Sequence, residues 1–287
     1  MTAALTAARK KFHQELVDRH TLSLSPDDVA SNADSSQRTS VGIALSIAKD
    51  LSAQVVPSKL TGQRAGKHFE EAVEGFLKEA FPLFRSLRPG CWAIENVGGS
   101  RAEYQISKYE PYTHLADLAA AIENDRTLAS VLGNSYEISP DILMLRSPVS
   151  DDTINQDQEL VDADSGRHAV IRAANQERPI VHAIVSCKWT LRSDRAQNAR
   201  SEALNIIRNR KGRTPHIAVV TGEPSPSRLA SLALGTGDID TVYHFALAEL
   251  VKAVDESEND EAISMLHTLV SGKRLRDISD LPLDLAI

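Results

Sequence analysis

Two short stretches of this chain carry residue types at odds with simple burial. Ser139-Pro140-Asp141 puts an acid at the edge of an apolar segment, and Ser186-Cys187-Lys188 puts a lysine on what reads as a central strand. Side chains alternate along a strand, so Ser186 and Lys188 share one face and Cys187 points to the other. A lysine at the end of a buried strand needs a partner or an exit to water. An aspartate from a neighbouring strand would serve. Acid and lysine together suit phosphodiester hydrolysis. A metal neutralises charge on the phosphate and activates water. Carboxylate oxygens suit Mg²⁺, and lysine can stabilise the attacking hydroxide or the transition-state charge.

The order Pro-Asp, a gap, then x-x-Lys on a strand resembles the core of the PD-(D/E)XK nucleases. A typical member has an acid where this chain has Ser186. Glu202 is a replacement, seven residues after Arg195 on the helix that follows the lysine strand, and so on the same helical face. Asp141 and Glu202 would hold the metal, with the backbone carbonyl of Cys187 as a third oxygen. The skeleton alone is weak, because Pro-Asp is a common turn and a strand-end lysine often snorkels to water. The stretch from the lysine onward is more telling. Residues 188–213 hold eight bases and two acids, a net charge of +6. Arg192-Ser193-Asp194-Arg195 opens a helix that Ser193 or Asp194 can cap, and a helix N-terminus favours phosphate. Arginine pairs bidentately with guanine and aspartate accepts from cytosine, so this set suits a G/C-rich site. A solvated surface helix is the plainer alternative.

These residues need elements to position them. Apolar spacing predicts helices over 2–16, 41–55, 115–132, 193–210, 224–234, 245–255 and 261–270, the third stopped by Gly133-Asn134. Gly62 and Gly66 bracket a turn that opens a further helix, striped by Phe69, Val73, Phe76 and Leu77. Strands are predicted at 92–97, 136–145, 180–189 and 217–221. Residues 23–38 read as a loop, and residues 151–164, with six acids and no base, as a solvated loop or insertion. Strand, helix, strand in succession predicts an α/β fold around a sheet that is parallel at least in part. Trp92 and Trp189 read as packing residues.

Composition sets wider bounds. The 287 residues carry a net charge of −7, 42% hydrophobic and 25% charged residues, a globular balance. Taken whole, the charge argues mildly against a nucleic-acid partner. The surplus in 188–213 reverses this locally and leaves −13 for the rest. Cys91 and Cys187 are too few for a disulfide framework or a Cys-rich zinc site. The nine histidines lack HxxxH or HExxH spacing. The N-terminus is not built like a signal peptide, and no apolar run is long enough to span a membrane. A cytoplasmic protein is expected.

At the level of longer stretches the chain resembles the NgoMIV-like type II restriction endonucleases, the CCGG group of the PD-(D/E)XK nucleases. The resemblance is carried by Ser186-Cys187-Lys188-Trp189-Thr190, by Arg192 through Glu202, and by Asn209-Arg210-Lys211-Gly212-Arg213. It continues in Pro224-Ser225-Pro226-Ser227-Arg228, Ala233-Leu234-Gly235-Thr236-Gly237, Val242-Tyr243-His244-Phe245 and Gly272-Lys273-Arg274-Leu275. Ser31-Asn32-Ala33-Asp34 and Pro140-Asp141-Ile142 match as well. It implies a single endonuclease domain over 1–287, a restriction-endonuclease-like mixed central sheet flanked by helices, and a bacterial source. It also implies Mg²⁺, double-stranded DNA cut at palindromic GCCGGC with 5′ CCGG overhangs, and a homotetramer of two dimers.

Carried over, Asp141 and Glu202 are metal ligands, Lys188 is the catalytic lysine, and Ser186 agrees with this group. Glu70 matches an additional active-site glutamate, and its neighbour Glu71 does not. Arg192, Asp194 and Arg195 would read the inner pairs, Asp34 and Arg228 the outer pair, and Gln63 the minor groove. The chain differs most over 146–178. A structure-selective nuclease on the same core, or a DNA-binding protein without catalysis, are the other readings.

Overall fold

A computed structural model of the chain describes residues 2–98, 105–124, 127, 130, 138, 140–191, 193–235 and 237–287. Of residues 105, 123 and 193–196 it describes the backbone alone. The longer helices are α1 (Ala4–Asp18), α2 (Arg38–Asp50), α3 (Gly62–Ala80), α4 (His114–Asn124), α5 (Ser193–Asn209), α6 (Pro226–Ala233), α7 (Leu247–Asp255) and α8 (Asp260–Ser271). The strands are β1 (Trp92–Asn96), β2 (Ile142–Arg146), β3 (Ile180–Lys188), β4 (His216–Thr221), β5 (Thr241–His244) and β6 (Leu275–Asp277). They form one sheet in sequence order. β1, β2 and β3 run antiparallel, and β3 through β6 run parallel. Parallel neighbours need a crossover, which α5, α6 and the α7–α8 pair supply. The sheet is therefore mixed and flanked by helices.

The apolar pattern explains the layers. β3 is buried almost throughout, as a strand covered on both faces must be. Ala199, Ala203 and Ile206 of α5 cover Ile184, Ile217 and Val219 on one face. α3 packs against β1 and β3, on the face to which the alternate side chains of β3 point. Thr61 caps α3 by accepting from the Arg64 N–H at 3.4 Å. Phe69, Val73, Phe76 and Leu77 form its buried stripe. Trp189 is buried between Phe69 and Phe245, at 5.0 and 5.3 Å between ring centroids. Trp92 packs edge-to-face with Phe81 and His182. Both tryptophans therefore pack, as expected.

Several expectations need correction. α3 begins at Gly62 and runs through Gly66, so those glycines do not bracket a turn. β5 and β6 are too short to show a period in the sequence. The acidic stretch contains a helical turn, Asp151–Ile154, capped by Ser150, and Arg172 clamps Asp151 at 2.6 and 2.7 Å. α5 starts at Ser193, so Ser193 and Asp194, the expected caps, both lie within its first turn. Ser139, Arg192 and the Gly133-Asn134 stop lie outside the described residues. Among those described, no helix is long and apolar enough to cross a membrane. Cys91 and Cys187 are both free thiols.

Candidate active site

The β2–β3 register pairs Ile142 with Val185. One step further, Asp141 lies across from Ser186. Its carbonyl accepts from the Val97 and Gly98 N–H groups at 2.9 and 3.1 Å, which fixes it against the end of β1. Its side-chain Oδ2 accepts from the Cys187 N–H at 2.7 Å, Ser186 Oγ at 3.2 Å and Lys188 Nζ at 3.2 Å. The alternation expected of β3 holds, because Ser186 and Lys188 reach the same two acids. The second acid is Glu202, on the α5 turn above β3. Its Oε2 lies 3.5 Å from Ser186 Oγ and 3.6 Å from Lys188 Nζ.

Electrostatics follow from this crowding. Burial lowers the Lys188 pKa, but Asp141 and Glu202 outweigh burial and hold it above the ordinary lysine value. Burial raises Glu202 above the usual carboxylate range, and Lys188 only partly draws it back. Glu70 of α3 is pushed up to about 7, first by burial and then by the charge of Asp141. A methyl placed on Gly98 would sit 3.1 Å from Glu70 Oε2 and 3.5 Å from the Asp141 Cα, so the two acids flank that glycine closely. The Cys187 thiol is buried and its pKa raised, first by burial and then by Asp141, which keeps it protonated.

An open cavity of about 800 Å³ lies over this cluster, lined by Gln63, Glu70, Gly98, Lys188, Asn198 and Glu202 among others. A second, of about 420 Å³, adjoins it across Gly62 and Trp189, which line both. Asp34, Lys59 and Arg228 line the second. Arg228 Nη2 donates to Asp34 Oδ2. Asp34 also accepts from the Ser36 N–H and hydroxyl, so it caps that turn as well as pairing with Arg228. Asp141, Ser186, Lys188, Glu202 and Glu70 thus converge, with Gln63 in the same cleft and Asp34 with Arg228 beside it. Glu71 also lines the cleft but is held in an ion pair with Arg19.

For Arg192 nothing is described, and for Asp194 and Arg195 only their place on the first turn of α5. The basic surplus of 188–213 is less concentrated than its sequence span suggests. α5 is 17 residues long, about 25 Å, and Arg208 to Arg213 lie at its far end. Arg210 donates to the Ile207 carbonyl there. Gly98, Asn96 and Asn198 were not singled out from the sequence. A glycine just past a predicted strand was the available signal of close backbone approach.

The donor set suits a hard divalent cation. Glu70, Asp141 and Glu202 outnumber Lys188, and two of the three carboxyls are displaced upward, as acids short of positive charge are. In a strand, the N–H and C=O of one residue point the same way, so the Cys187 carbonyl faces the Asp141 side with its N–H. Among the described residues no group of three His, Cys, Asp or Glu side chains is arranged to hold a metal ion. Two carboxylates, a carbonyl and water are the complement that Mg²⁺ accepts.

Comparison with known proteins identifies the family. The family described as NgoMIV restriction enzyme matches residues 12–287. The type II restriction enzyme NgoMIV of Neisseria gonorrhoeae is 48% identical over 287 residues, covering 100% of both chains. Among solved structures, the restriction endonuclease PspGI–substrate DNA complex superposes loosely, with a TM-score of 0.27 at 13% identity over 99% of this chain and 92% of that one. Full-length identity at the level of the NgoMIV match, together with the family match, places this chain among the type II restriction endonucleases of the NgoMIV restriction enzyme family.

Proposed function

We propose that this endonuclease hydrolyses both strands of duplex DNA at palindromic GCCGGC, with Mg²⁺, leaving 5′ CCGG overhangs, 5′-phosphate and 3′-hydroxyl ends. The observation that carries the catalytic reading is the Lys188 ammonium between Asp141 and Glu202, 3.2 and 3.6 Å away, at the mouth of an open cleft. Asp141, Glu202 and the Cys187 carbonyl would hold the ion. When bound, Mg²⁺ supplies neutralisation of phosphate charge and a lowered pKa for bound water.

The chain's own groups do the rest. Lys188 is charged at neutral pH and stabilises negative charge developing on the scissile phosphate. Ser186 donates to Asp141 or Glu202 and keeps both oxygens turned toward the site. Glu70, poised near neutrality, can take or return a proton at the rim of the cluster. Asp34 and Arg228 form a G·C-reading pair for the outer position, Arg192, Asp194 and Arg195 read the inner CCGG pairs, and Gln63 reaches the minor groove. The identity over the whole length of NgoMIV supports the target and a tetramer of two dimers.

Digestion of a sequenced plasmid with Mg²⁺, with the ends mapped, tests this. Discrete fragments with CCGG overhangs are expected, and cleavage confined to branched DNA would mean a structure-selective enzyme. Asp141→Ala should cut nothing yet still bind the site, and full cleavage would sink the site assignment. Arg192→Ala should lose about 1–3 kcal/mol on specific DNA only. Equal loss on random DNA would reduce Arg192 to a phosphate contact.

A further inference from the structure

Glu223, just past β4, is 1% exposed and unaccounted for by the catalytic cluster. Its Oε2 accepts from the Leu191 N–H at 2.8 Å, and its Oε1 from the Ser225 N–H at 3.1 Å. Arg228 Nη1 lies 3.7 Å from the same Oε2. Its own N–H donates to Thr221 Oγ1 at 3.2 Å, and that hydroxyl donates to the Lys188 carbonyl at 2.7 Å. The preceding residue, Gly222, joins the same node. Its carbonyl accepts from Asn32 Nδ2 at 2.7 Å, and Asn32 is itself 1% exposed. A methyl on Gly222 would lie 2.5 Å from Trp189 Cε3, so the two strand ends touch here without room for a side chain.

We propose that Glu223 is a positioning residue that ties the outer-pair readers to the segment that reads the inner pairs. This rests on the assignment of Asp34 and Arg228 to the outer pair and of Arg192 to an inner one. Leu191 immediately precedes Arg192. Asn32 lies two residues before Asp34. Arg228 is gripped at Nη2 by Asp34 and approached at Nη1 by Glu223, so two carboxylates fix the plane of one guanidinium. That plane matters, because bidentate reading of guanine depends on it. A buried carboxylate is costly where a neutral group would serve. Here it serves two backbone donors, one at each oxygen, and a cation as well. An amide of the same size offers a single acceptor oxygen and no charge. When Asp34 turns from Arg228 toward a base, Glu223 remains to keep Arg228 aligned.

The test compares kcat/KM of each preparation on three duplexes: the cognate site, a site with the outer G·C pair changed, and a site with an inner pair changed. Ratios within one preparation do not depend on the fraction of active enzyme. Glu223→Gln should lower cognate-over-outer discrimination about tenfold, and lower inner discrimination too. Arg228→Ala should lower the outer ratio alone. On the outer ratio the double variant should be no worse than Arg228→Ala. A Glu223→Gln protein that slows on all three duplexes in equal proportion makes Glu223 a stability element only and overturns the proposal. Should that protein fail to fold, Glu223→Asp keeps the charge but withdraws it by one methylene. A partial fall in both ratios is then expected, and equal slowing again overturns the proposal. If Arg228→Ala keeps full outer discrimination, the base-reading assignment falls first and takes the proposal with it, an outcome seen in a separate arm.

Discussion

Arg9 and Lys188 are each a largely buried cation held between two carboxylates. Arg9 donates to both oxygens of Asp277 at 2.9 and 2.8 Å and to both oxygens of Glu249 at 3.0 and 2.6 Å. Burial would raise both acids, but the bonds to Arg9 hold each below its ordinary value. Lys188 makes one bond of 3.2 Å to Asp141 and stands 3.6 Å from Glu202. There burial wins, Glu202 stays above its ordinary value, and Glu70 adds a third acid poised near 7. Composition is nearly the same in the two clusters, and geometry separates them. Around Arg9 all four carboxylate oxygens are matched, so the cluster is closed and ties α1 to α7 and β6. Around Lys188 the carboxylates exceed the cations and face an open cleft. A perturbed carboxyl is a sign of function when the perturbation leaves charge unmet, and a sign of structure when it does not.

The sharpest way to break this comparison is to remove one member of each cluster. Glu202→Gln should reduce single-turnover cleavage by roughly a hundredfold to a thousandfold, in line with the loss of one charge-stabilising group at an active centre. Its folding stability should hold or rise, since a half-buried carboxyl short of positive charge is relieved. Retained cleavage would place Glu202 outside the chemistry. Arg9→Ala should do the reverse. Leaving Glu249 and Asp277 without their cation should cost about 3 kcal/mol, read from the midpoint of denaturant unfolding. Cleavage per folded molecule should be unchanged. Loss of cleavage by a folded Arg9→Ala protein would mean that the two clusters are not separable.

The pH dependence of stability sharpens the contrast, because the two sets of acids pull in opposite directions. Glu70 has a folded pKa of about 7 against an ordinary 4.5, so between those values the folded state binds more protons than the unfolded chain. Its contribution therefore makes the metal-free protein lose stability as pH rises from about 5 toward 8. Glu249 and Asp277 are depressed, so their contribution is present above the ordinary carboxylate range and is lost as pH falls below it. Thermal unfolding in the presence of a chelator, across this range, should show the neutral slope shrink in Glu70→Gln and the acid slope shrink in Arg9→Ala. An unchanged neutral slope in Glu70→Gln would assign that slope to other groups.

Much of the site was legible because its logic is local. The alternation of β3 placed Ser186 and Lys188 together, and helical spacing put Glu202 within reach of them. The long strands and the striped helix α3 were visible in their periods. Other features were not, for physical reasons. β5 and β6 span four and three residues, too few to show any period. The Arg9 network joins residues 240 and 268 positions apart, and no local pattern announces a contact across such a distance. Nothing in the local sequence marks Glu223, which precedes Pro224, because its surroundings depend on Leu191 and Arg228 arriving from other elements. The basic run misled in part, since a helix about 25 Å long carries its last arginines away from the site. Asp34 and Arg228, 194 positions apart, were linked by resemblance alone, and in the fold they touch.

The smallest expected effect concerns charges that belong to neither cluster. Asp152, Asp157, Glu159 and Asp164 are exposed, in contrast to Asp151, which Arg172 holds. Replacing the four by their amides should leave stability within about 0.5 kcal/mol, as is usual for surface positions that anchor nothing. It would, however, move the net charge from −7 to −3. If the acidic balance outside 188–213 restrains indiscriminate binding, affinity for random duplex should rise severalfold at low salt. The gain should shrink as salt is raised and the Debye length falls to about 8 Å at physiological ionic strength. Affinity for the cognate site should rise by the same factor, because a long-range field cannot tell one sequence from another. Fluorescence anisotropy on random and cognate duplexes at two salt concentrations reads all three effects. A gain confined to the cognate duplex would move the acidic segment from the background field into the reading surface, and no gain at either salt would leave the surplus acid without a part in DNA binding.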